Sequence, residues 1–99
     1  MLLRAELQTC EAQLFSSESY TQQLGIQKLV HFSHDENPTI RRACIYIFST
    51  IPDYPEISID PHYIKERLSE IAEDEGESQI VRLDAKKALE KFEGISRNQ

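Results

Sequence analysis

The sequence predicts an all-α fold of five helices, a short α-solenoid of about two helical hairpins behind an N-terminal capping helix. Three observations predict it. Apolar residues recur at helical spacing through most of the 99 residues. Three Gly and four Pro are few, and strand-type alternation is rare. Finally, the chain echoes itself: Ile40, Arg41, Cys44 and Phe48 are followed 41 residues later by Val81, Arg82, Ala85 and Leu89, and Ile51 by Phe92. Self-similarity at this period marks helical units that bury their apolar faces by stacking on one another.

The first helix is expected over residues 1–16, with Leu3, Leu7, Cys10 and Leu14 on one face. Ser16, Ser17, Glu18 and Ser19 break it. Ser19 with Gln22 three residues on fits a capping box and opens a second helix to about Ser33, its stripe formed by Leu24, Leu29, Val30 and Phe32. Gly25 inside that helix costs roughly 1 kcal/mol relative to Ala and points to a close helix contact. Asn37 is a good N-cap, and Pro38 suits the first helical position because its missing N–H would be unpaired there. The third helix runs to about Ile51, so residues 19–51 form one unit. Pro52 and Pro55 cannot continue it, leaving a linker over 52–59 that carries Tyr54, Ile57 and Ile59. Asp60 then caps and Pro61 starts a fourth helix with Ile64, Leu68, Ile71 and Ala72 on one side. Ser78 caps a fifth, which is expected to stop near Phe92 before Gly94. Residues 60–93 form the second unit, 94–99 a frayed tail, and the whole chain one domain.

The formal net charge of −6 argues against generic binding to nucleic acid or anionic membrane, though a local basic face remains open. No segment approaches the ~20 apolar residues of a membrane span, and the N-terminus has no signal-peptide pattern. Cys10 and Cys44 are far apart and belong to no CxxC pair, which fits a reduced, cytoplasmic setting.

The pattern Asp35, Asn37, Pro38, Ile40, Arg41, Cys44, Phe48, partly repeated by Asp74, Val81, Arg82, Ala85 and Leu89, is similar to HEAT-like repeats of the armadillo-like class. The second copy lacks the proline, and the first has Cys where Ala is usual. The resemblance covers roughly residues 20–93 and implies a right-handed solenoid. It also implies that Asp35, Arg41, Asp74 and Arg82 form a ladder between units and that the third and fifth helices line an inner, concave surface. The wheel agrees for Arg41, which lies roughly 60° from Cys44, on the border of the buried face, where its stem covers apolar surface while its guanidinium pairs.

On the opposite face Arg42, Tyr46 and Ser49 point away from the core, with Ile45 near the edge. Their equivalents are Leu83, Lys87 and Glu90, with Lys86 matching Ile45. Arg42, Ile45, Tyr46, Leu83, Lys86 and Lys87 are therefore the candidate partner-binding residues, since aromatic and Arg side chains commonly anchor protein interfaces. Glu66, Glu70, Glu73, Asp74, Glu75 and Glu77 read as a solvated acidic face or a strip for a basic partner. His31 and His34 share a helix face but lack the third ligand a zinc site needs. No catalytic residue, metal ligand or cofactor site is expected. The expected function is a non-catalytic protein-interaction module or small scaffold, binding a protein of unknown identity and able to self-associate through open solenoid ends. The alternative is a subunit or chaperone of an enzyme complex, because some short HEAT-like proteins resemble bilin-lyase subunits.

Overall fold

In a computed structural model, residues 2–54, 57 and 60–97 are described, and side chains are described for 5–54, 57 and 60–94. Five α-helices follow in order: α1 Leu2–Leu14, α2 Ser19–Phe32, α3 Pro38–Thr50, α4 His62–Glu73 and α5 Gln79–Arg97. A short 3-10 helix, Ile51–Asp53, follows α3. No strand occurs among the described residues, and none of their helices is long and apolar enough to cross a membrane. The molecule is a flat slab, 37 × 37 × 16 Å between Cα extremes.

The helix starts differ in how they are capped. Asn37 caps α3 as expected, its Oδ1 accepting from the Thr39 N–H at 2.9 Å, with Pro38 following. Asp60 Oδ1 accepts from the His62 N–H at 3.0 Å, so α4 begins at His62 and Pro61 sits just before it. The expected Ser19 capping box does not form. Ser19 is already helical, Glu18 holds the N-cap position with no side-chain bond, and Ser16 organises the turn instead. Its Oγ accepts from the Glu18 N–H, and its carbonyl accepts from Gln22 Nε2 at 2.8 Å.

Two helix ends also depart from expectation. Pro52 ends the α-helix at Thr50, yet the chain keeps a helical course for one 3-10 turn, in whose first positions a missing donor costs nothing. Gly94 does not stop the last helix, which continues to Arg97. No Gly of the described residues adopts positive φ, and without that conformation a glycine costs helix propensity but makes no terminator. The expected tail is therefore helical to Arg97, and Asn98 and Gln99 lie outside the described residues.

The core joins Leu7, Cys10 and Leu14 of α1 to Ile26 and Leu29 of α2, Cys44, Ile47 and Phe48 of α3, Ile64, Leu68 and Ile71 of α4, and Val81, Ala85, Ala88 and Phe92 of α5. The Leu3 side chain expected in this stripe lies outside the described residues. On α2 the buried face is Gln22, Gly25, Ile26 and Leu29, a spacing of three and four that the more obviously apolar Leu24, Val30 and Phe32 only flank. The backbones approach most closely where α1 meets α2, α4 meets α5 and α3 meets α5, whereas α2 nears α3 at only a few positions. Small residues explain the tight contacts: Ala72, Ala85 and Ala88 are buried on α4 and α5. Ile57 tucks its side chain into the core, and Tyr54 packs edge-on against Phe15 with ring centroids 5.0 Å apart. The linker thus lies against the helices at these two points. Ile59 and Ser58, at its expected end, are outside the described residues.

Gly25 sits where α2 presses on α1. A Cβ there would lie 2.9 Å from the Cys10 carbonyl oxygen and 3.1 Å from the Gln13 Cβ. The first of these is backbone and cannot rotate away. Gly25→Ala should therefore destabilise the protein: overpacking costs about 1–3 kcal/mol against a helix-propensity gain of about 1 kcal/mol. Thermal unfolding followed by circular dichroism should show a lowered Tm, and an unchanged or raised value would mean the helices separate freely.

Candidate functional site

Arg41 projects from the first turn of α3 and uses every nitrogen of its guanidinium. Nε and Nη2 donate to the two carboxylate oxygens of Glu77, both at 2.7 Å, while Nη1 donates to the carbonyls of Asp35 and Glu36 at 2.8 and 2.9 Å. The Arg41 side chain is 18% exposed and that of Glu77 7%. This fork ties the turn before α3 to the turn before α5. The hydrogen bond to Glu77 raises the Arg41 pKa, and the same bond holds the Glu77 carboxyl below its ordinary value.

Among the described side chains, the residues of the expected Asp–Arg ladder form no direct Asp–Arg side-chain hydrogen bond. Asp35 and Asp74 are equivalent, but as turn formers: their Oδ1 atoms accept from the N–H two residues on, in Asn37 at 2.8 Å and Gly76 at 2.9 Å. Arg82 donates from Nε to the Ala72 carbonyl at 3.1 Å. The hydrogen-bonded bridge between the two turns is Arg41 with Glu77, while the Asp35 and Asp74 charges act on Arg41 through space. Glu77 belongs by sequence to the acidic run, whose other members are exposed. Its place in the second turn, next to Ser78, is the signal that could have singled it out.

Three further contacts tie α4 and α5 to the preceding helices and the linker. Arg67 of α4 donates to the Ser33 hydroxyl at 2.8 Å and to the Ser33 carbonyl at 3.0 Å, closing the C-terminal end of α2. Arg42 Nε donates to Asp84 Oδ2 at 2.8 Å, and Lys91 Nζ to Asp53 Oδ2 at 2.8 Å. Arg67, Asp84, Lys91 and Asp53 were not among the candidates. The sequence separations of these contacts lie close to the 41-residue echo, which is where their partners could have been sought.

Between α3 and α5 runs a groove of about 500 Å³. Arg42, Tyr46 and Ser49 line it from α3, and Asp84, Lys87 and Lys91 from α5, with Ala43, Ile45 and Ala88 among the apolar lining. Of the six candidate residues, Arg42, Ile45, Tyr46 and Lys87 come together here. Ile45 is only 2% exposed, so it belongs to the core and floor and is not an open contact; α3 is covered along a flank by α5 as well as on the face centred at Cys44. Leu83 and Lys86 are exposed on α5 but do not line the groove. Leu83 and Ile80, 46% and 57% exposed and three residues apart, make a small apolar strip beside it. A second concavity of about 380 Å³ lies between α2 and the start of α4, lined by Gln23, Ile26, Gln27, Asp60 and Tyr63.

The remaining ligand-type residues stay apart. His31 stacks obliquely near Phe32, and His34 lies near Arg67 and Glu70, where desolvation and then the Arg67 charge lower its pKa. No three His, Cys, Asp or Glu side chains of the described residues gather as a metal site. Cys10 and Cys44 are buried free thiols, and desolvation pushes the Cys44 thiol up to about 12. Comparison with protein-family models, with curated proteins and with solved structures yields no match.

Two outcomes follow from this geometry. Glu77→Gln should cost about 1–3 kcal/mol at neutral pH by leaving the half-buried Arg41 without its counter-charge. Because the folded carboxyl titrates below its ordinary 4.5, the wild-type advantage is complete above that pH and lost as pH falls through the depressed value. Urea unfolding of both proteins across acidic pH should show the two stabilities converging. Native protein at mildly alkaline pH should also resist thiolate-directed reagents at Cys10 and Cys44, with labelling appearing only on denaturation.

Proposed function

We propose that this chain is a non-catalytic protein-interaction module, a short solenoid-type stack whose α3 and α5 present the binding face. The observation that carries the reading is the groove itself. Arg42 and Tyr46 converge on one concavity with Lys87, which lies 45 and 41 residues further along the chain. Tyr46 is 70% exposed at the rim of this concavity, and Tyr and Arg are among the residue types that most often anchor interfaces. The flat two-helix thickness and the contacts of α3 with α5 and α2 with α4 support side-by-side stacking of two units, α1 covering the first. A non-catalytic role fits the burial of both thiols, and a reduced cytoplasmic setting fits their being free. Self-association through the stack's ends belongs to the same reading.

Affinity capture from native lysate tests it, comparing wild type with Tyr46→Ala plus Lys87→Glu. Neither side chain holds the fold, so both proteins should melt alike while the variant loses specific partners. If the folded variant retains every captured protein, the α3/α5 face is not the binding surface.

A further inference from the structure

Resting on the reading that this face binds protein, we propose that the groove takes an acidic, extended segment of the partner. One of its carboxylates sits between the Arg42 guanidinium and the Lys87 ammonium, beside the ring of Tyr46. Charge complementarity selects this occupant. Three cations line the groove, Arg42, Lys87 and Lys91, against a single carboxylate, Asp84, although the chain as a whole carries a formal net charge of −6. Asp84 engages Arg42 only through Nε, at 2.8 Å. Among the described residues nothing bonds the two terminal nitrogens, so the fork is held by one edge and offers the other, the arrangement that suits bidentate capture of a carboxylate. Lys91 is held by Asp53 at 2.8 Å, whereas Lys87 is exposed with no ion-pair partner among the described residues. Lys87 is therefore the groove's uncompensated charge.

Asp84 acts as a positioning residue, since it aims the guanidinium without itself attracting an anion. Tyr46 supplies apolar area beside the charged pair, so that the captured carboxylate is partly shielded from water and the contact strengthens. A long polyanion such as nucleic acid fits less well, because the chain as a whole carries a formal net charge of −6.

The test uses fluorescence anisotropy at low ionic strength with three labelled synthetic peptides, identical except for Glu, Gln or Lys at alternate positions. The Glu peptide should bind most tightly and weaken as salt is added. Lys87→Gln should weaken it roughly threefold to tenfold. Asp84→Asn keeps an acceptor for Arg42 Nε but removes a repelling charge, so it should tighten binding roughly twofold to fivefold. Tyr46→Ala should weaken every peptide that uses the groove. Matched melting curves establish that the variants are folded. If the Gln or Lys peptide binds as tightly as the Glu peptide and is lost in Tyr46→Ala, the acidic assignment falls while the groove remains a binding face. If the Glu peptide binds but is indifferent to both Lys87→Gln and Tyr46→Ala, it binds elsewhere and the proposal falls. If none of the three binds, the acidic assignment and the groove reading fall together.

Discussion

The contact on which the rest of this structure depends is the fork between Arg41 and Glu77. An isolated amphipathic helix cannot bury its apolar face alone, so α1–α3 and α4–α5 need one another. Apolar burial supplies the attraction but is non-directional and would tolerate sliding of one unit along the other. The guanidinium removes that freedom. It bonds the carbonyls of the first turn and the carboxylate of the second at once, fixing where α5 starts relative to α3. Arg67 on Ser33, Arg42 on Asp84 and Lys91 on Asp53 repeat the lesson along the joint. The groove is a consequence of this alignment, since its two walls belong to α3 and α5.

Residue size then decides how close the helices come. At Gly25, the absence of a side chain lets α2 rest on the backbone of α1, and the buried alanines do the same work around α5. Where α2 faces α3 the backbones stay farther apart. The consequence is a molecule with one compact flank, the α3–α5–α4 group, to which α1 and α2 attach as a second close pair. Tyr54 against Phe15 and the buried Ile57 close the linker over this assembly.

Charge is distributed with the same asymmetry. Apart from Glu77, the carboxylates of α4 and the following turn stand in solvent, where they do little for stability. On the α3/α5 side the balance reverses: cations predominate, and the one lining carboxylate serves to orient an arginine. A surface that is basic where α3 and α5 meet is compatible with an acidic chain overall, because the local field at a concavity is set by its nearest charges and by the low-dielectric walls around them.

The sequence by itself determined the number of helices, most of their limits, and the core positions Leu7, Cys10, Leu14, Leu29, Cys44, Phe48, Ile64, Leu68, Val81 and Ala85. Those follow from local rules, helical periodicity and the turn chemistry of Asn37, Pro38 and Asp60, that need no neighbour. It also placed Arg42, Tyr46 and Lys87 on one side, since the echo aligns them. Only the tertiary structure decided that Ile45 is buried, that Leu83 and Lys86 stand clear of the groove, and that Arg41 pairs with Glu77 while Asp35 and Asp74 turn back on their own loops. Periodicity ranks residues around one helix axis; it carries no information on which flank a second helix will cover. An ion pair, likewise, is chosen by competition among nearby carboxylates, and that competition exists only once the turns have been brought together.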